Sequence, residues 1–216
     1  MTAPIPADRH KHLFPDAKVP RTPNFNPSHA GGASWIKALA QLTDEVLEYN
    51  DGFYRARLQA LQAVDELIDG LFTRLENHGI LDNTYVFYTT DNGYHISQHR
   101  LNPGKECGFE EDINIPLVVR GPGVPLGDAE VVTAHTDLAP TILKLVGGDW
   151  RREDLDGRPI PLDRKSLNEE SQSGKRQEHV NVEFWGIAVP EGDYHFALDD
   201  GKVGMFTSLT RICYDY

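Results

Sequence analysis

The stretch that most constrains this chain is Tyr85-Val-Phe-Tyr-Thr-Thr90, followed at once by Asp91-Asn92-Gly93-Tyr94-His95. Six consecutive apolar, β-branched and aromatic residues read as a buried strand. Asp-Asn-Gly then stops it, because Asn and Gly tolerate positive φ and Asp favours turns. In open α/β sheets, ligands sit outside the carboxyl ends of the strands. The turn therefore presents two hard side-chain oxygens, Asp91 and Asn92, where a binding site is expected. Such oxygens suit Ca²⁺ or Mg²⁺ better than a soft metal. An isolated Asp-Asn-Gly is more often a solvated turn than a metal site, since the dipeptide is a strong turn signal by itself.

What surrounds the strand is an alternation of helix and strand signals, which predicts an α/β fold. Trp35–Tyr49 reads as one helix. Phe53–Asn77 reads as a second, with Leu61, Val64, Leu67, Ile68, Leu71, Phe72 and Leu75 recurring at three and four as a core-facing stripe. Asp51 or Gly52 is placed to cap its start, and Gly79 stands where it should stop. Ile115–Arg120 reads as a strand closed by Gly121-Pro-Gly123, and 129–133 as another. Thr136-Asp137 is placed to cap a helix over Leu138–Val146. Residues 149–174 read as surface loop, 178–185 as a strand and 194–206 as a hairpin. Residues 1–34 are dense in proline, which forbids regular structure. They read either as a linker or as a long ordered loop packed on a larger body.

With 216 residues, the chain is long enough for one domain with a real core. Its formal net charge of −12 argues against a nucleic-acid partner, which requires a basic face. No segment approaches the ~20 apolar residues that span a bilayer. The first ten residues contain no apolar run of the signal-peptide kind. Two cysteines, Cys107 and Cys213, are too few for a disulfide scaffold.

The order of short motifs after the turn is more specific than any one of them. Asp91-Asn-Gly-Tyr-His95 is followed by Gln98-His99, Pro103-Gly104-Lys105, Phe109-Glu110 and Ile115-Pro-Leu-Val-Val-Arg-Gly-Pro-Gly123. This resembles the second half of a sulfatase catalytic domain. The likeness is to fungal-type arylsulfatases and N-acetylglucosamine-6-sulfatases, runs from about Lys11 to about Gly157, and is densest over Leu81–Gly123. The resemblance implies a partial sulfatase fold of the alkaline-phosphatase superfamily, with a central mixed sheet flanked by helices and the start of a small C-terminal antiparallel sheet. It divides the chain into residues 1–165, the catalytic-domain part, and 166–216, a polar loop with the beginning of the small sheet. It also favours an ordered Pro-rich segment near the mouth of the site.

The roles that the resemblance implies are residue by residue. Asp91 and Asn92 match two ligands of a single Ca²⁺, and Lys105 matches the lysine that touches the sulfate. His95 and His99 are placed at the substrate mouth, and Glu110 is placed to fix the loop that carries Lys105. Ser97 stands where relatives commonly show Gly. The family's nucleophile is a formylglycine made from Cys or Ser in Cys/Ser-x-Pro-x-Arg, a motif this sequence lacks. The chain therefore reads as a fragment that begins after most of the active site and is inactive alone on sulfate esters. The implied reaction is hydrolysis of a sulfated small molecule or glycan by a protein of a family usually secreted or lysosomal. The alternatives are a phosphodiesterase or phosphonate hydrolase of the same superfamily and a catalytically dead remnant. Two-metal relatives tend to show Asp-His at the turn, so Asp-Asn favours the sulfatase.

Overall fold

The computed structural model describes residues 3–105 and 107–173, together with the backbone strands 179–184 and 210–215. The chain divides into two compact units that interleave along the sequence. One takes in Met1–Leu81 and Thr90–Pro116, the other Asp82–Thr89 and Leu117–Glu183.

The first unit is organised on a long helix. A short α1 (Ser34–Lys37) precedes α2 (Asp44–Asn77), an unbroken helix of 34 residues. The sequence predicts a break near Asp51-Gly52, and the structure corrects this. Thr43 caps the start by accepting from the Val46 N–H, and Gly52 lies within the helix. A single glycine costs about 1 kcal/mol in a helix interior, too little to interrupt so long a run. The end is as expected. Gly79 has φ +65°, its N–H reaches the Glu76 carbonyl, and the Ile80 N–H reaches the Leu75 carbonyl. These are the paired bonds of a Schellman stop.

Asp51 caps nothing. It is buried, with Asn50 and Phe53, on the turn of α2 that receives Val19 and Arg21 of the Pro-rich segment. Its Oδ1 accepts from the Val19 N–H at 3.0 Å, and the Arg21 guanidinium grips both oxygens at 2.9 and 2.7 Å. Further along, Gln59 Nε2 donates to the Lys11 and Leu13 carbonyls, and Arg55 to the Ala17 carbonyl. Residues 3–34 are thus an ordered strap laid on α2 and not a linker. Val19, Phe53 and Ile96 form one small core beneath it, and Ile36, Leu39 and Leu101 a second.

The C-terminal half of α2 departs from expectation. Leu61 and Leu71 are exposed and Leu67 is 70% exposed, so this part of the apolar stripe is not core.

In the second unit β1 (Val86–Thr89) pairs antiparallel with β2 (Leu117–Arg120), Val86 opposite Arg120 and Thr89 opposite Leu117. The strand expected at the centre of a larger sheet has this one partner among the described residues. Tyr88 and Val118 are exposed, the latter at 59%. The apolar run is therefore half-buried. Gly121 closes the pair because a methyl group there would lie 2.1 Å from Tyr85 Cδ1, while the Tyr85 hydroxyl donates to the Pro122 carbonyl at 2.7 Å.

No strand forms over 129–133. Asp137 is buried ahead of α3 (Leu138–Leu145) and does not cap it. Its carboxylate instead accepts from the Ala134 and Arg158 N–H groups at 3.0 and 2.8 Å, tying two loops together. The region read as loop contains α4 (Arg164–Gln172), started by Asp163, which accepts from the Ser166 N–H at 2.9 Å. A strand β3 (His179–Phe184) forms as expected and pairs with β4 (Thr210–Asp215), which the sequence did not suggest. The hairpin expected over 194–206 lies outside the described residues.

Asp51 makes a test of the strap. Its burial pushes the carboxyl up, but Arg21, the Val19 N–H and the nearby Lys18 outweigh that and hold it below its ordinary value. A carboxyl depressed in the folded state stabilises above its unfolded pKa and loses that contribution as pH falls through the folded value. We expect Asp51→Asn to cost about 1.5–3 kcal/mol at pH 7 by urea unfolding, the worth of hydrogen bonds to a charged group. The gap to wild type should narrow below about pH 4. An unchanged gap at pH 3 would refute this account.

Candidate functional site

Beyond β1 the chain enters the first unit as Thr90-Asp91-Asn92-Gly93. The Thr90 hydroxyl lies 3.2 Å from both Asp91 Oδ1 and the Asn92 carbonyl, folding the turn back on itself. Gly93 follows for a reason of contact, not of φ. A methyl group there would fall 2.0 Å from the Glu111 carbonyl oxygen. Through that contact the Gly93 N–H donates to the Asp112 carbonyl at 2.8 Å and the Tyr94 N–H to Glu111 at 2.6 Å. The turn is thereby stitched to a one-turn helix, Glu110–Ile113.

Lys105 returns to this turn. Its ammonium donates to Asn92 Oδ1 at 3.2 Å, while Asn92 Nδ2 donates to the Gly93 carbonyl at 2.6 Å. Asp91 is exposed, and its carboxyl is held below the ordinary range. The Thr90 hydroxyl is the chief cause, partly opposed by desolvation and helped by backbone N–H groups and the Lys105 charge. The structure thus brings together two hard oxygens and one cation, all from residues singled out in the sequence.

The two histidines are placed differently. His95 is 2% exposed. Its Nδ1 lies 2.8 and 3.0 Å from the two oxygens of buried Asp112, and its backbone exchanges hydrogen bonds with Gly104 at 2.9 and 3.0 Å. Gly104 admits the ring because a methyl group there would sit 2.9 Å from His95 Nε2. His95 therefore does not line an open mouth. It ties the turn to the lysine loop. His99 is half-buried, stacked on Phe109 at 3.8 Å between centroids, with Nε2 3.4 Å from Glu111 Oε2.

Asp112 escaped notice in the sequence, where Glu110 of the run Glu110-Glu111-Asp112 is the acid singled out. It also accepts from the Cys107 N–H at 3.1 Å, so one carboxylate holds both flanks of the lysine loop. The fixing role expected of Glu110 belongs to Asp112, since Glu110 Oε1 accepts from Asn114 at 2.5 Å on the exposed side.

Residues 97–100 carry unusual backbone. Ser97, His99 and Arg100 have φ of 73°, 56° and 67°. The left-handed value at Ser97 explains why glycine suits that position. Asn50 Nδ2 donates to Ser97 Oγ at 2.8 Å, and the Asn26 and His99 N–H groups bond the Ser97 and Asn24 carbonyls at 2.8 Å. Arg100 donates to the carbonyls of Pro27, Ser28 and Leu39. The Pro-rich strap thus borders the candidate site.

Comparison with known proteins assigns the family. The Sulfatase family model matches residues 8–148. The chain belongs to the sulfatase family. It is 54% identical over 162 residues to the sulfatase ppz1 of Metarhizium majus, covering 74% of this chain and 38% of that protein. It is 39% identical over 166 residues to the human N-acetylglucosamine-6-sulfatase, covering 75% of this chain and 30% of that one. The chain thus spans about a third of the length of these curated relatives. Among solved structures, BT4656 in complex with its substrate D-glucosamine-2-N,6-O-disulfate superposes with a TM-score of 0.69 at 19% identity. That match covers 95% of this chain and 56% of that one. The fold is accordingly a partial sulfatase fold of the alkaline-phosphatase superfamily.

Two outcomes test the site's construction. Nuclear magnetic resonance should find the Asp91 carboxyl titrating below its ordinary value of about 3.9. Thr90→Val should raise it more than Lys105→Ala does, and the reverse order would contradict the hydrogen-bond origin. Gly93→Ala should destabilise the chain by about 1–3 kcal/mol, the usual cost of overpacking. Chemical shifts of Glu111 and Asp112 should move with it, and a neutral substitution would show the contact to be soft.

Proposed function

We propose that this chain contributes part of the active site of a sulfuric ester hydrolase, of the arylsulfatase or N-acetylglucosamine-6-sulfatase type, acting on a sulfated small molecule or glycan. The observation that carries the reading is the convergence of Asp91, Asn92 and Lys105, with the lysine ammonium 3.2 Å from Asn92 Oδ1. Family membership and the relatives' names support the class of reaction. A Cys/Ser-x-Pro-x-Arg motif is not among these 216 residues, so the residues assigned here are those that would surround the sulfate and not the nucleophile.

Sulfate-ester cleavage places negative charge on the sulfuryl oxygens and on the leaving alcohol, and fixed positive charge stabilises it. Lys105 is suited to that task. It is a point charge on a long stem, and the loop that bears it is held on both sides by Asp112. Asp91 and Asn92 fit part of a Ca²⁺ shell, because Asn92 Oδ1 already accepts a cation and Asp91 stays ionised to low pH. Ca²⁺ takes six to eight oxygens, so these two are a minority of its ligands. When bound, it would supply Lewis acidity toward a sulfate oxygen. His95 sets the spacing between turn and lysine loop, and His99 with Phe109 forms a flat wall beside it.

In a complete enzyme containing this chain, Lys105→Ala should lower kcat/KM by about 10²–10³, the usual loss for one charge-stabilising donor, with Ca²⁺ content retained. Asp91→Ala should lower activity and Ca²⁺ content together. Unchanged kcat/KM in Lys105→Ala would remove the residue from the mechanism. Higher kcat/KM on a phosphodiester or phosphonate ester than on an aryl or glycan sulfate would favour the superfamily alternative.

A further inference from the structure

Asp91 and Asn92 offer only oxygen. Behind them lies a set of different chemistry. His95, Cys107 and Asp112 each present one ligand atom, and the three atoms lie within 4.8 Å of one another. His95 and Asp112 are buried, and Cys107 is half-buried and in no disulfide. This is the one grouping of three such side chains among the described residues. We propose that it is a second, thiolate-containing cation site, and that its ion is Zn²⁺.

Three arguments converge. The first is distance. Zn²⁺ binds imidazole nitrogen and carboxylate oxygen at about 2.0–2.2 Å and thiolate at about 2.3 Å. Tetrahedral ligands around such an ion are therefore roughly 3.3–3.7 Å apart. The pair His95 Nδ1 and Asp112 Oδ1, at 2.8 Å, has to open by only about half an ångström to admit the ion in place of the shared proton.

The second is charge. A thiolate, a carboxylate and a neutral imidazole sum to −2, which one divalent cation cancels. A neutral assembly is what a buried site requires, since an unbalanced buried charge is costly. Loading expels the thiol proton, and the single remaining imidazole proton sits on Nε2.

The third is support around the ligands. The second oxygen of Asp112 accepts from the Cys107 N–H at 3.1 Å, a bond that survives loading. The His95 ring is fixed by packing against Gly104, and Cys107 packs on the Ile36–Leu39–Leu101 core. Outer contacts of this kind orient metal ligands. A mixed sulfur, nitrogen and oxygen set selects a borderline ion such as Zn²⁺ over Ca²⁺. The ion would cross-link residue 95 to residues 107 and 112, closing the loop that carries Lys105 whether or not the proposed reaction holds.

The test uses the 216-residue chain, stripped of metal and titrated with Zn²⁺ against a chromophoric chelator. Co²⁺ serves as the spectroscopic probe, because thiolate coordination gives it an intense near-ultraviolet band. We expect one equivalent of Zn²⁺ bound at micromolar or tighter Kd in the presence of excess Ca²⁺. Cys107→Ser should weaken binding by more than the roughly 10–100-fold lost when an outer contact of a metal is removed. It should also abolish the Co²⁺ band. Cys213→Ser should leave both unchanged, and circular dichroism should show both variants folded. Asp112→Asn should weaken Zn²⁺ binding too. Should that variant unfold, Cys107→Ser decides alone, being a change of one atom at a half-buried position. No stoichiometric binding to the folded wild-type chain would overturn the proposal. So would binding that survives Cys107→Ser, or a Co²⁺ band that disappears only with Cys213→Ser.

Discussion

The carboxylate of Asp112 is the contact on which the rest of the candidate site depends. It receives His95 Nδ1 on one side and the Cys107 N–H on the other, so the loop carrying Lys105 is held at both ends by a single side chain. The group is buried, and a buried carboxylate without donors costs several kcal/mol. Fully satisfied, it becomes a rigid node. The main-chain bonds of Gly93 and Tyr94 to the same short helix add a second seam a few residues away. Lys105 reaches Asn92 because both of its supporting segments are already fixed.

The strap over α2 works by the same economy. Proline leaves residues 3–34 unable to make a regular ladder, and the backbone groups of Lys11, Leu13, Ala17 and Val19 are met by side chains of the helix: Asp51, Arg55 and Gln59. Helix interior positions occupied by polar residues are, on this face, binding positions for extended chain. The exposed leucines further along α2 carry no such partners among the described residues, which is why the apolar periodicity there does not translate into burial.

Much of this was legible in the residues, and the misses have physical causes. The return of Lys105 to the Asp91-Asn92 turn could be read because turn chemistry and motif order are local properties. The end of α2 could be read because Gly79 requires left-handed φ. The helix break at Asp51-Gly52 could not, since one glycine is weaker than the eight helical residues before it and the twenty-five after it taken together. Asp112 and Asp137 were missed or misassigned because a carboxylate's role is decided by which distant N–H groups arrive at it. Residue 158 donating to residue 137 leaves no mark in spacing. The exposure of Tyr88 and Val118 is likewise a property of what stands beside the strand. Composition reports only that a strand forms.

The left-handed run at Ser97, His99 and Arg100 has a bearing on how this part of the molecule can change. Each such residue costs of the order of 1 kcal/mol or more outside glycine, and the shape persists because carbonyls of residues 24–39 hold it in place. Strap and loop are therefore a matched pair, like a die and its casting. Transplanting the 95–105 loop alone into another scaffold would let it relax to ordinary backbone and lose the curvature that aims it. Exchanging it together with the strap would carry that curvature along. Variation among chains built this way should then occur in concert at both places, so that drift in the prolines of the strap constrains which residues the loop can accept.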